Sequence, residues 1–466
     1  MHVHWHRHDL RAADNRGLAT ATTDGPVAPL FVFDSDVLAH AGPPRVAFML
    51  DALDALRDWY REAGADLLVR RGDPSDVVPA VAREVGADGV TWTAEVSGLG
   101  RERDDAVRRA LSRADVEHDT VEDALFHEPG SIRTTDGDVY SVFTYFWKKW
   151  RDRPKEGPVD SPSETDLAGV DADEPLPTLA ELGFDDPEAD IPRAGTAAAR
   201  NHLQAFCNGP IYRYEERRDY PAAGCTSRLS PHLKWGTIGI REVYEAVSEA
   251  GRAATGVAAE SVEEFESQLA WREFYAHVLW DRPDVVTDNF REYEHPIDWR
   301  DDETELQAWK DGETGYPFVD AGMRQLRREA FMHNRLRMVV ASFLTKDLMI
   351  DWREGYDWFR EKLVDHNTAN DNGGWQWAAS TGTDAQPYFR VFNPTTQGER
   401  YDSDAEYIHE YVPELRGVPA DAIHDWPTLD PGKRQMLAPE YPEPVVDHGE
   451  RREEAIEMFE RARGKD

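Results

Sequence analysis

The chain changes periodicity once, and that change limits the folds open to it. From Val3 to about Phe126, short β-rich runs alternate with helical ones. VHWH (3–6), VAPLFVFD (27–34), DLLVR (66–70) and GVTWTAE (89–95) read as buried strands. PPRVAFMLDALDALRDWYREAG, PSDVVPAVAREVG and RERDDAVRRALSRA carry helical periodicity bounded by Pro or Gly. Such a βαβα order calls for a parallel sheet covered by helices. No G-x-G-x-x-G follows the first strand, so the dinucleotide fingerprint is missing there. Residues 152–195 turn rich in Pro, Asp, Glu and Gly with little apolar periodicity, the composition of a surface connector. From Thr196 onward the patterns are mostly helical, as in 261–280, 317–348 and 351–363, and eight of the 15 tryptophans crowd into 271–377. The expected architecture is a Rossmann-like α/β domain over 1–130, a long connector over 131–195 and a mostly α-helical domain over 196–466.

Charge narrows the setting. Ninety acidic residues face 53 basic ones, for a net charge of −37, and only nine of the basic residues are Lys. An acidic, lysine-poor surface suits a halophilic protein kept soluble in concentrated salt, where screening is short-ranged. Polyanion binding needs local positive potential. Residues 320–400 hold 11 Lys/Arg and 11 Asp/Glu, so this neutral stretch leaves room for a DNA-facing patch. Cys207 and Cys225 make neither a disulfide framework nor a zinc site. No apolar run approaches bilayer length and no signal-peptide pattern opens the chain, so a cytoplasmic protein is expected.

Four blocks carry side chains unusual for a plain core. Residues 365–400 set Trp375 and Trp377 beside Gly373 and Gly374, then run into Tyr388, Phe389 and Arg390. The glycines would let backbone approach a flat ligand, and a buried aromatic corner is the competing reading. Thr226, Ser227 and Ser230 precede a helical stretch, where hydroxyls and amides suit phosphate, or ordinary capping. Gln268, Trp271, Arg272 and Tyr275 recur at i, i+3, i+4, i+7, giving one helix face an amide, an indole, a guanidinium and a phenol. Asn334, Arg335, Arg337 and Met338 share an amphipathic helix, with Arg337 a buried partner for a carboxylate such as Asp365. At the N-terminus, His2, His4, His6 and His8 alternate and would share a strand face able to hold a metal. No acidic or Cys partner is fixed nearby in sequence, and the metal reading is set aside.

Together the four blocks, from Tyr212 to about Tyr411, resemble the flavin domain of the cryptochrome/photolyase family. WHRHDLRAADN resembles the family's opening strand and turn, through Arg7, Asp9, Leu10, Arg11 and Asn15, with His6 and His8 at variable positions. The nearest resemblance is to the class I enzymes for cyclobutane pyrimidine dimers, in a haloarchaeal-like form. It implies bent FAD, with Tyr214, Thr226, Ser227, Arg228, Leu229 and Ser230 at its phosphates and ribityl chain. Gln268, Arg272, Asn334, Arg337, Asp365, His366, Asn367 and Asp371 would surround the adenine and isoalloxazine. The implied reaction is light-driven repair of UV-damaged DNA, in which excited FADH⁻ passes an electron to a flipped-out dimer. Trp271 and Trp377 would wall the hole, Met338 floor it, and Gln268 and Asn334 reach the bases. Arg218, Tyr275, Arg335, Arg390 and Gln397 match DNA-contacting positions, and Trp299, Trp352 and Trp375 match a tryptophan relay to the surface.

Three departures are visible. Gln268 stands where bacterial dimer enzymes usually have Glu, Asp371 where Asn is common near flavin N5, and Asn367 where a carboxylate is usual. Gln at 268 also resembles the (6-4) photolyases and sensory cryptochromes, the two alternative functions. The (6-4) enzymes, however, carry histidines at the positions of Asn334 and Met338. A second chromophore is implied in the first domain, a deazaflavin in preference to a folate, with Asp34, Arg45 and Glu95 as matching positions. The family implies a monomer.

Overall fold

The computed structural model describes residues 1–170, 172 and 174–464. Five strands make one parallel sheet in the order β3-β2-β1-β4-β5, with β1 His2–His6, β2 Val27–Phe33, β3 Leu68–Arg71, β4 Gly89–Thr93 and β5 Glu117–Val121. Central β1 pairs on both sides, setting Trp5 opposite Leu30 and Trp92. Both faces are covered. Phe31 and Phe33 pack on Phe48, Leu53, Leu56 and Tyr60 of the helix Pro43–Glu62. On the other face Val3, Trp5, Leu30 and Trp92 meet Val78 and Val81 of Pro74–Val85 and Val107 and Leu111 of Gly98–Arg113. Every residue of β2 is buried, which is why it reads as a continuous apolar run. The edge strand β5, EHDTV, carries too little apolar signal to be read from sequence, as suits an edge guarded by charge.

Among the described residues the helical half has two large cores and two small ones. One large core gathers Trp309, Phe318, Leu336, Phe343, Trp352, Phe359, Trp375 and Trp426. The other joins Phe206, Val243, Phe265 and Phe274 to Phe143, Phe146 and Trp150. Those last three belong to the helix Phe143–Asp152, inside the stretch expected to be connector. Its apolar face is core, and only the segment after it wraps as short turns, with Leu176, Leu179, Leu182 and Phe184 laid on the sheet's helix layer.

Two buried arginines join the halves. Arg241 donates to Asp14 at 2.6 Å and to Asp123 at 2.5 Å, while Arg11 donates to Asp123 and to the Gly236 carbonyl. Burial pushes the Asp123 carboxyl up, but the two guanidiniums outweigh it and hold the group below its usual range.

The alternating histidines are not a wet face. His4 and His6 are fully buried, and the turn after β1 brings Asp9 to them, the acidic neighbour that sequence distance hid. His4 Nε2 lies 2.9 Å from the Asp9 carboxylate, and His6 uses one nitrogen on the Asp9 carbonyl and the other on the Tyr60 hydroxyl. Three of the four ring nitrogens make hydrogen bonds that lock the turn, and His4 Nδ1 meets no partner. No helix among the described residues is long and apolar enough to cross a membrane.

Candidate flavin and DNA site

Three helices converge in the second half. The longest, Val257–Asp281, packs against Thr368–Ala378, and Asn334–Ser342 packs against the same helix. On the long helix Gln268, Trp271, Arg272 and Tyr275 are half-buried, while Leu269, Ala270, Glu273 and Phe274 between them are buried. The mixed face anticipated from the i, i+3, i+4, i+7 spacing is therefore only partly covered by protein. On Asn334–Ser342 the open face carries Asn334, Arg337 and Met338, with Asn334 Nδ2 3.7 Å from the Met338 sulfur.

The charged centre is Arg337. Its Nη2 bridges both Asp365 oxygens at 2.9 and 2.7 Å, its Nε donates to the Met332 carbonyl at 2.9 Å, and its Nη1 lies 3.5 Å from Asp371. Burial works against the guanidinium charge, but Asp365 and Asp371 raise its pKa regardless. Asp371 also receives the Asn367 backbone N–H at 3.1 Å and lies 2.7 Å from His366 Nδ1. Burial would raise this carboxyl, yet His366, Arg337 and the Asn367 amide hold it below its usual value. His366, Arg337 and the Asn367 N–H thus converge on the Asp371 carboxyl. Burial pushes the His366 imidazole down to about 4 against the pull of Asp371, and its Nε2 meets no partner. Asn367 caps its helix, accepting from the Asn370 N–H, a local role the Asn/Asp substitution leaves intact.

The remaining cofactor positions sort unevenly. Tyr214 is buried in the second core, and Leu229 is a core side chain that can offer a ligand only its backbone. Thr226, Ser227, Arg228 and Ser230 form the turn into the short helix Ser230–Trp235, whose N-cap residue Leu229 makes no side-chain cap. Ser227 Oγ accepts the N–H of Leu229, the residue that opens the helix, at 3.3 Å, so one of these hydroxyls plays the local capping part. Arg228 holds a left-handed φ of +50° and pairs with Glu329 at 2.8 Å. Arg272 is committed to backbone, donating to the Ala124 and Leu233 carbonyls, and so ties the long helix to the α/β half.

The glycine pair splits in function. A Cβ on Gly373 would stand 2.2 Å from the Tyr275 ring, whereas one on Gly374 would meet nothing within 4 Å. Gly373 therefore makes room for a protein aromatic, and Tyr275 is turned onto it, toward the interior and not toward a surface ligand. Trp271 stacks face to face on Phe143, centroids 3.8 Å apart at 10°, a backing residue from the expected connector that sequence spacing could not reveal. Trp377 is half-buried and packs on Phe392. Gln268 donates its amide to Glu264 and Ser267, both at 3.0 Å.

Of the DNA-facing candidates, Arg390 is exposed beside the exposed ring of Phe389. Gln397 is half-buried, and Arg218 is paired with Glu264. Arg335 differs from expectation: it is buried, 2.7 Å from Asp219 and stacked over Tyr401, so a phosphate would have to displace an existing ion pair. Among the relay candidates, Trp375 and Trp352 are buried and Trp299 is half-buried against Phe459. Trp352 Nε1 donates to Asn289 at 2.9 Å. Trp309, which sequence did not single out, lies edge-on to Trp375 at 6.0 Å.

In the α/β half the sheet order reverses between β1 and β4, where open α/β sheets place their ligands at the strand carboxyl ends. Arg7 and His8 follow β1 there and Glu95 follows β4, with His8 Nδ1 3.2 Å and Arg7 3.8 Å from the Glu95 carboxylate. Asp34 caps its own short helix and meets Arg103 at 3.3 Å, and Arg45 is buried with its Nε unpartnered. Burial lowers Arg45 and Arg103 to about 10. Lys234 from the helical half, missed in sequence, is lowered by burial to about 8 against the pull of the Glu95 charge.

The residues fit a flavin. A buried polar atom without a partner, His366 Nε2, belongs to a ring whose Nδ1 lies on the fixed ion-pair cluster. Comparison with known proteins agrees. The description "FAD binding domain of DNA photolyase" matches residues 265–461, and "DNA photolyase" matches residues 2–165. The deoxyribodipyrimidine photo-lyase of Halobacterium salinarum is 64% identical, with 100% of both chains covered. That of Synechococcus is 40% identical over 98% of this chain and 95% of its own. A class III photolyase structure from Agrobacterium tumefaciens superposes with a TM-score of 0.92 at 35% identity, covering 100% of this chain and 98% of its own. An archaeal photolyase from Sulfolobus tokodaii, solved with two FAD molecules that imply a novel light-harvesting cofactor in that protein, gives 0.85 at 32% identity, with 99% of each covered. The chain belongs to the DNA photolyase family. Its helical half is that family's FAD-binding domain, set on a five-stranded parallel α/β domain.

Proposed function

We propose that this protein repairs UV-damaged DNA with light, splitting cyclobutane pyrimidine dimers. The observation that carries the reading is the convergence of the Gln268–Trp271 and Asn334–Met338 faces on the helix of Trp377, beside the Arg337–Asp365–Asp371 cluster. FAD held here in its reduced form would supply light-driven electron-transfer chemistry. The protein's own groups bind, orient and exclude water. Arg337, held by Asp365, presents fixed positive charge to the cofactor. A dimer leaves the stack because its reacting bond is out of reach inside the duplex. Trp271, kept rigid by Phe143, and Trp377 offer it aromatic walls, Met338 a soft floor, and the Gln268 amide both a donor and an acceptor. Asn334 and Met338 supply no imidazole, which favours cyclobutane dimers over (6-4) products. Trp375, Trp352 and Trp299, running from buried to half-buried, are the path by which the cofactor is reduced. Glu95, Lys234, Arg45 and Asp34 hold a second chromophore, a deazaflavin in preference to a folate, and the enzyme acts as a cytoplasmic monomer.

The test is repair of a thymine-dimer oligonucleotide by the reduced protein in concentrated potassium chloride, with a dark control. Intact thymines recovered only under blue light support the reading. No repair despite bound FAD and bound DNA would refute it and favour (6-4) substrates or light sensing.

A further inference from the structure

The helix Thr368–Ala378 ends in a corner that the flavin site leaves unexplained. Ser380 holds a left-handed backbone, φ +64°, which costs any residue with a Cβ and persists only where neighbours enforce it. Lys346 Nζ donates to Ser380 Oγ at 2.8 Å and reaches the Ala379 carbonyl at 3.5 Å, while the Tyr293 hydroxyl donates to the Ser380 carbonyl at 2.9 Å.

Lys346 is itself unusual. It lies on the π-turn Phe343–Asp347, fully buried, with Nζ 3.6 Å from the Phe459 ring centroid and no carboxylate paired to it among the described residues. Burial alone drives its pKa well below the usual lysine value. Apolar packing does not call for such a residue, since a Met would fill the space without desolvating an amine. Its neighbour Asp347, equally buried, lies 2.5 Å from His448 Nδ1 at the start of the C-terminal helix His448–Ala462, the helix that also carries Phe459. One π-turn thus grips the C-terminal helix at two points and the Ser380 corner at a third. π-turns of this kind are frequent at functional sites.

Beyond the corner the chain runs to the open side of the site. Thr381 and Gly382 return their N–H groups to the Gln376 carbonyl at 2.9 and 3.0 Å, Gln386 donates to the Trp377 carbonyl at 3.2 Å, and the loop then exposes Phe389 and Arg390. We propose that Lys346 is a positioning residue for substrate recognition, clamping the Ser380 corner against the C-terminal helix and so setting Trp377 and the 381–392 loop. The link to substrate rests on the reading of Trp377 as a wall of the dimer site.

Hydrogen exchange on the FAD-loaded protein in concentrated potassium chloride, with affinity for a single-stranded thymine-dimer oligonucleotide, tests it. Lys346→Met should speed exchange at Thr381, Gly382 and Gln386 about tenfold and weaken dimer binding by about the same factor, with FAD retained. Ser380→Ala, which keeps the lysine and removes its acceptor, should move the same amides. Ser380→Gly added to Lys346→Met should restore both readouts, because glycine adopts the corner without strain; a lysine that merely packs the core would not be rescued. Unchanged exchange in the two single variants, or failure of the rescue, overturns the clamp. Faster exchange with undiminished dimer affinity would leave the clamp standing and overturn its link to substrate through Trp377.

Discussion

Replacing Asp365 by Ala isolates the charge at the centre of the flavin site. Asp365 is 5% exposed and takes both of its hydrogen bonds from one Arg337 nitrogen. Removing one partner of a buried pair leaves an uncompensated charge and typically costs about 3–5 kcal/mol. Here Arg337 keeps its bond to the Met332 carbonyl and its 3.5 Å approach to Asp371, and its side chain is 19% exposed. These residual partners put the expected loss at the lower end, about 3 kcal/mol. Removing the guanidinium as well, in Arg337→Met/Asp365→Ala, should recover about 2 kcal/mol of that loss, since the stranded guanidinium is gone and Asp371 keeps His366 and the Asn367 N–H. The assay is urea unfolding followed by tryptophan fluorescence, with FAD in fixed excess, across a series of potassium chloride concentrations. A pair this buried should show the same loss at every salt concentration, unlike a surface bridge. A loss below about 1 kcal/mol, an additive double variant, or a loss that fades with salt would each refute the argument.

Three further outcomes are expected. Trp377→Ala should weaken binding of dimer-containing DNA by about 1–3 kcal/mol, the worth of one base stacked on an aromatic ring, while leaving FAD content unchanged; filter binding with absorbance checks both. Gly373→Ala should destabilise by about 1–3 kcal/mol because its Cβ enters the Tyr275 ring, whereas Gly374→Ala, next door in open space, should be neutral or stabilising in a melting experiment. Glu122 is raised to about 7 by burial and then by Glu128, Glu95, Glu273 and Asp123. The folded state therefore binds a proton that the unfolded chain has released, and stability falls as pH climbs from the ordinary glutamate value toward 7. Glu122→Gln should flatten that slope and melt higher than the parent near pH 7.5; equal slopes would show that Glu122 titrates normally.

Much of this protein was legible along the chain because the signals are local. The buried strands β1 to β4 announce themselves as apolar runs, and the partly covered face of the long helix follows from 3.6-residue periodicity. Even the Arg337–Asp365 pair could be anticipated, since a guanidinium on an amphipathic helix needs a buried acceptor. What periodicity cannot encode is which distant elements meet. The edge strand β5 lacks an apolar run, so only its pairing with β4 defines it. Phe143 backs Trp271 from what composition presented as connector, Asp9 closes on His4 and His6 through a turn, and Lys234, from the other half of the molecule, lies within the field of Glu95. Gly373 reads the same as Gly374 in sequence and differs only because Tyr275 packs on one of them. Residue types and spacing determined the elements, their apolar faces and the chemistry on offer. The packing of one element on another decided which buried charges are paired, which aromatics are backed and which glycines are obligatory, because those free energies arise from contacts between positions far apart in the chain.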